Sequence, residues 1–263
     1  MGRRCLGILR GLYPLYDDIQ GKRVLVVGAS TGIGYSLAIA LSNLGAALVL
    51  ASRTTGSIVN AIDEGRISNA IVISCDITNS DDVQKLVTEI EPVDAVCFVA
   101  GAVKLAPKHQ LKKAFINSQL DVNLVAPIEF LSSLFRYKKL NDEASIIFTT
   151  ATARFNSVHA TTPYAAAKNG LVSVVQTLAG EALLDNMRVN AVSFDYVSTR
   201  MTKDIVGSSE EKREALTKEV VGVSPSLNAV VPYIYLVSKA SRWMTGQVIE
   251  ADAGRRLSRV VHG

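Results

Sequence analysis

The stretch Arg23-Val-Leu-Val-Val-Gly28-Ala-Ser-Thr-Gly32-Ile-Gly34 decides how the rest of the chain is read. An almost wholly apolar, β-branched run enters three glycines at the spacing Gly-x3-Gly-x-Gly, and a stretch of helix length, Ile33–Leu44, follows directly. At such a strand–turn–helix junction the first glycine permits the tight turn. The second lets backbone approach a pyrophosphate, and the third allows the helix to pack closely on the strand. The open amides at the start of the helix then meet negative charge. Gly28, Gly32 and Gly34, with Ser30, Thr31 and Ile33 between them, are therefore the expected phosphate-binding residues of a dinucleotide site.

Working outward, strand-like runs recur at Ala47–Ala51, Ala70–Cys75, Ala95–Val99, Ser145–Thr150, Arg188–Val192 and Val248–Ala251. Amphipathic stretches at Asp81–Ile90, Leu120–Tyr137 and Pro163–Leu184 lie among them. Strands covered on both faces read as continuous apolar runs, as Val24–Val27 and Ile71–Ile73 do. Repeated βα alternation of this kind predicts α/β architecture: a doubly wound parallel sheet of about seven strands in a three-layer αβα sandwich. Residues 21–263 are expected to form one domain, and residues 1–20 an N-terminal extension. Residues 100–119 and 194–226 interrupt the rhythm at the carboxyl ends of strands, where ligands bind in open α/β sheets. The second of these is expected to be a substrate flap.

With nearly half its residues apolar and a net charge of +4, the chain can bury a large core and is far from disorder. No basic run is interleaved with aromatics, so no nucleic-acid surface is expected. Cys5, Cys75 and Cys97 show neither metal spacing nor a disulfide frame, so no metal is expected and a reducing compartment fits. No run approaches the ~18 apolar residues of a membrane span. The basic start, broken at Arg10 with no small-residue cleavage site after it, does not read as a signal peptide. A soluble cytoplasmic protein is expected.

The end of the second strand bears on which dinucleotide binds. A carboxylate there commonly accepts from the ribose hydroxyls of NAD. This chain has Ala51-Ser52-Arg53 instead. A hydroxyl and a guanidinium suit a 2′-phosphate, so Ser52 and Arg53 favour NADP(H) over NAD(H).

Tyr164 and Lys168 are four residues apart, on one face of a predicted helix. A tyrosine titrates near pH ~10, and a neighbouring ammonium favours its phenolate. Such a residue can pass a proton to or from a carbonyl or alcohol oxygen while hydride moves to or from a nicotinamide.

In these motifs and their order the chain resembles the short-chain dehydrogenase/reductase family, in its single-domain, Rossmann-like branch, from Gly21 to about Leu257. The resemblance rests on the glycine turn, Cys75-Asp76-Ile77, Asp121-Val-Asn123-Leu, Tyr164-Ala-Ala-Ala-Lys168, Arg188-Val-Asn-Ala-Val192 and Thr245-Gly-Gln-Val-Ile249. It implies that Asp76 and Ile77 meet the adenine edge and that Ala100 and Gly101 follow the fourth strand at the cofactor. It also implies that Asn123 supports a proton relay, that Tyr164 is the acid/base and that Lys168 lowers its pKa and holds the ribose. Val197 and Thr199 fall where the family contacts the carboxamide. A homodimer or homotetramer packed through Leu120–Tyr137 and Pro163–Leu184 is implied as well.

The departures from the family pattern are equally definite. A serine usually precedes the tyrosine by some thirteen residues to polarise the reacting oxygen; here that position is Ala151, with Thr150 and Thr152 beside it. Neighbouring strand residues face opposite sides. Thr150 can therefore replace the hydroxyl only if the strand end bends or the register slips. The threonine before the first glycine is Val27, the Asn-Asn-Ala-Gly after the fourth strand is Phe98-Val99-Ala100-Gly101, and the Pro-Gly near the nicotinamide is Phe194-Asp195. Arg154, Phe155 and His159 border the expected substrate pocket. Two readings stay open: an NADP(H)-dependent oxidoreductase acting on a carbonyl or secondary alcohol, and a cofactor-binding scaffold or regulatory protein with weak catalysis.

Overall fold

The computed structural model describes residues 14–154, 158–199, 201, 224–225 and 228–254. Seven parallel strands form its centre: β1 (Arg23–Val27), β2 (Ala47–Ser52), β3 (Ala70–Ser74), β4 (Val93–Phe98), β5 (Leu140–Ala151), β6 (Arg188–Phe194) and β9 (Val248–Ala251). Their order is β3-β2-β1-β4-β5-β6-β9, so the winding direction reverses between β1 and β4. That reversal opens a crevice at the carboxyl ends, just where the glycine turn leaves β1. A short pair, β7 (Val197–Ser198) with β8 (Ser224–Pro225), stands outside the main sheet.

The central strands carry continuous apolar runs because helices cover both faces. In β1, Val24 and Val26 enter a core layer with Leu37, Leu41 and Ile58 from α1 (Gly32–Asn43) and α2 (Gly56–Asp63). Leu25 and Val27 enter the opposite layer. There they join α3 (Ser80–Glu89), α5 (Ala126–Arg136) and α6 (Thr162–Ala182), whose Leu86, Phe130 and Leu171 are buried. Side chains alternating at period two thus feed two cores from one strand.

The expected elements are found, with instructive differences. The stretch predicted as one helix over Leu120–Tyr137 begins at the last residue of α4 (Lys113–Leu120) and is a π-helical turn (Asp121–Val125) followed by α5. An amphipathic pattern alone does not register the extra residue of a π-turn. Three short helices escaped the sequence reading: α2, α7 (Val231–Val237) and nearly all of α4, which lies in the segment read as an interruption at 100–119. In α2 only Ile58 and Ala61 are buried, too few for a readable stripe. Ile19, assigned to the N-terminal extension, is fully buried at the end of a 3-10 turn, Pro14–Ile19. Of the expected flap at 194–226, residues 202–223 lie outside the described residues. Among the described residues no helix is long and apolar enough to cross a membrane.

Candidate active site

Asn79 shows how a helix start is closed by its own side chain: its Oδ1 accepts from the amides of Asp81 and Asp82 at the head of α3, at 2.9 and 3.3 Å. The start of α1 is different. Thr31 stands at its N-cap without a side-chain cap bond, and no acidic residue occupies the first turn. The orphan amides there suit an external anion. The turn itself has no room for larger residues. A Cβ on Gly34 would lie 2.1 Å from the Gly28 carbonyl oxygen, and Gly28 itself has φ +93° with the Ala100 nitrogen 2.5 Å from where its Cβ would stand.

This turn forms one wall of a cleft of about 690 Å³, within the range of ligand pockets. Gly28, Ser30, Thr31, Gly32, Ile33, Ser52, Arg53, Asp76, Ile77, Ala100, Gly101, Thr150, Tyr164, Lys168, Val197 and Thr199 all line it. Two expected residues stand behind the wall. Gly34 is packed under Gly28. Asn123 is fully buried, its Nδ2 donating to the carbonyls of Ala102 (2.7 Å) and Gln119 (2.9 Å) and its Oδ1 accepting from the Ala102 amide (3.1 Å). Asn123 therefore pins the loop after β4 to the π-turn.

At the β2 end the cleft is rich in hydroxyls. Ser52 Oγ donates to Ser30 Oγ at 2.7 Å, and Ser57 Oγ donates to the Ser30 carbonyl at 2.6 Å. Arg53 is exposed beside them. Burial works to raise the Asp76 carboxyl, but the Thr78 hydroxyl and amide and the charge of Arg53 outweigh it and hold Asp76 below its ordinary value. A donor set of hydroxyls and a guanidinium, with open helix amides alongside, fits a phosphorylated dinucleotide.

At the other end Tyr164 sits in the first turn of α6 and Lys168 one turn on. Lys168 Nζ lies 5.9 Å from the Tyr164 ring centroid and donates to the Thr149 carbonyl at 2.9 Å. Burial pushes the Tyr164 hydroxyl up to about 12 and the Lys168 amine down to about 8. Within the cleft, burial therefore outweighs the lowering of Tyr164 that sequence spacing suggests. Tyr164 rests protonated.

The Thr150 hydroxyl donates to the Lys168 carbonyl at 2.7 Å. Its single proton is thus directed to α6, where it braces β5 against that helix. Ala151 lines the cleft beside it. Sequence reasoning also missed Tyr233 on α7, fully buried, whose hydroxyl meets Thr149 Oγ1. The Thr149 hydroxyl in turn donates to the Phe98 carbonyl at 2.7 Å. Tyr233 thereby steadies the residue whose carbonyl holds Lys168, across a separation no local pattern reveals. Phe155 falls outside the described residues.

A dinucleotide cleft at the reversal of a parallel sheet, with a Tyr-x3-Lys pair on its wall, defines a nicotinamide-linked α/β oxidoreductase. The family model described as enoyl-(acyl carrier protein) reductase matches residues 28–256, and the chain belongs to the short-chain dehydrogenase/reductase family. It is similar to 3-oxoacyl-(acyl-carrier-protein) reductase of Rickettsia bellii, 27% identical over 90% of this chain and 98% of that one. It is also similar to the mitochondrial borneol dehydrogenase of Lavandula x intermedia, 30% identical over 90% and 91%. Among solved structures, a variant of actinorhodin polyketide ketoreductase with NADPH superposes with a TM-score of 0.84 at 21% identity, covering 90% of this chain and 97% of that one.

Proposed function

We propose that the chain is an NADP(H)-dependent oxidoreductase that interconverts a carbonyl and a secondary alcohol, of the ketone or 3-oxoacyl type. The observation that carries this reading is the convergence of Tyr164 and Lys168 on the same cleft as the open amides of α1 and the Ser30–Ser52–Arg53 corner. Bound NADP(H) supplies or accepts the hydride. Tyr164, protonated at rest, donates its proton to the carbonyl oxygen in reduction and takes it back in oxidation. Lys168, held by Thr149, keeps a positive charge beside the phenol and stabilises the phenolate as it forms. Asn123 fixes the loop through Ala102. Ser52 and Arg53 would hold a 2′-phosphate, with Asp76 and Ile77 at the adenine end and Val197 and Thr199 at the nicotinamide end.

Tyr164→Phe is expected to abolish carbonyl reduction while leaving NADPH affinity within about twofold. NADPH should bind more tightly than NADH in a fluorescence titration. Full retained turnover would overturn the role of Tyr164, and preference for NADH would overturn the cofactor choice.

One observation favours a second reading, a cofactor-binding scaffold with weak catalysis. Ala151 offers no hydroxyl, the Thr150 proton is spent on Lys168, and loss of one such donor costs roughly 10²–10³ in turnover. Binding of NADPH without turnover of any carbonyl would favour it.

The same reading includes self-association as a homodimer or homotetramer. A groove of about 440 Å³ between α5 and α6, lined by Ile128, Leu131, Phe135 and Leu178 with Glu181 and Asp185, supports it. Cys75 and Cys97, both buried and free, suit a reducing, cytoplasmic location.

A further inference from the structure

Asp195 follows the last residue of β6, where a carboxylate was not accounted for by any expected contact. Phe194 pairs in register with Ala151 of β5 and stacks on Tyr233 at 5.9 Å. Asp195 therefore emerges beside the place where Ala151 leaves the wall without a hydroxyl. It lines the cleft together with Tyr164 and Lys168, and it is half-buried, with Oδ2 shielded from solvent. Its Oδ1 accepts from the hydroxyl of Thr152, itself buried, at 3.1 Å. That hydrogen bond fixes where the carboxylate stands in the cleft.

The cleft also has a direction. Ser52 and Arg53 mark one end, and the turn at Gly28–Gly32 lies next to them. The segment after β6 crosses back so that Thr199 packs over Gly32, its Cγ2 3.0 Å from where a Cβ there would stand. A dinucleotide with its adenosine at Arg53 and its pyrophosphate on α1 has only the Tyr164–Asp195 end left for its nicotinamide.

The two redox states of a nicotinamide differ by one positive charge on the ring. A fixed negative charge in a partly desolvated cleft acts on that difference, because a site favours whichever state it binds more tightly. We propose that Asp195 sets the redox preference of the bound cofactor, stabilising the oxidised, cationic nicotinamide relative to the reduced one. The inference rests on the proposed dinucleotide reading and deepens it. The Thr152 hydroxyl holds the carboxylate in place, so the preference comes from a positioned charge.

The test compares dissociation constants of NADP+ and NADPH, by calorimetry and by fluorescence, for the wild-type protein, Asp195→Asn and Asp195→Glu. Asparagine keeps the shape and an oxygen for Thr152 but removes the charge. The ratio Kd(NADPH)/Kd(NADP+) is expected to fall about tenfold in Asp195→Asn, a shift of about 30 mV for a two-electron couple. Asp195→Glu is expected to keep the ratio near the wild-type value. A ratio unchanged or raised in Asp195→Asn, with both forms still bound, would overturn the inference and leave the cofactor reading standing. Failure of the wild-type protein to bind either form would remove both. If Asp195→Asn does not fold, Thr152→Val provides the second measurement: loss of the hydroxyl that holds the carboxylate in place is expected to move the ratio the same way, and an unmoved ratio would again overturn the inference.

Discussion

Lys168 is where burial and charge oppose each other most directly. Desolvation brings its amine to about 8 from an ordinary 10.5. At neutral pH it is mostly charged, and Tyr164, pushed up to about 12, is protonated. The pair is therefore poised to donate a proton. Carbonyl reduction, followed as kcat/KM against pH, is expected to fall as pH rises past about 8 and Lys168 loses its charge. Lys168→Met should lower the rate throughout and remove that inflection; a wild-type profile flat from pH 7 to 9.5 would contradict the assignment. The same shift has a consequence for stability. Between about 8 and 10.5 the unfolded chain holds more protons on this side chain than the folded one, so the cost of burying Lys168 fades as pH rises. Tyr164 acts in the opposite sense above pH 10, where the unfolded chain loses its proton first.

At the scale of elements, the π-helical turn Asp121–Val125 does more than join α4 to α5. It turns Asn123 inward, where three hydrogen bonds tie it to Ala102 and Gln119. Asn123→Ala would leave the half-buried Ala102 amide and carbonyl without these partners, a cost of up to about 1–3 kcal/mol per orphaned group. A lower Tm is expected, together with weaker NADPH binding, because the loop carrying Ala100 and Gly101 loses its tether. Thermal denaturation and a fluorescence titration check the two effects; an unchanged Tm would show that water replaces the side chain. The family resemblance implied a proton relay at Asn123, but its tether to Ala102 was not legible, because hydrophobic spacing reads a π-turn as continuous helix. The capped start of α3 and the uncapped start of α1 were closer to the surface of the sequence. Asn79 precedes an acidic first turn, while Thr31 precedes glycines.

At the scale of the whole molecule, the apolar groove between α5 and α6 lies on the side of the sheet covered by the helix that bears Tyr164 and Lys168. Leu178→Asp is expected to convert the proposed oligomer to a monomer in size-exclusion chromatography with light scattering, and to lower activity through a loosened α6. A monomeric wild-type protein would contradict the proposed assembly. Exposed Leu183, Leu184 and Trp243 lie beyond the groove, toward the amino-terminal edge of the sheet.

The sequence by itself determined the strand runs, the glycine turn and the Tyr164–Lys168 pair, because each depends on contacts within a turn or two or on alternation along one strand. It also exposed Ala151 and Asp195 as departures from the family pattern. Only the tertiary structure decided what those departures do. It directs the Thr150 proton to Lys168, brings Tyr233 under Thr149, and sets Asp195 against Thr152 in the cleft that Tyr164 lines. Each of those contacts joins elements far apart in the chain. Their geometry follows from the order of strands in the sheet, to which local propensity and periodicity are blind.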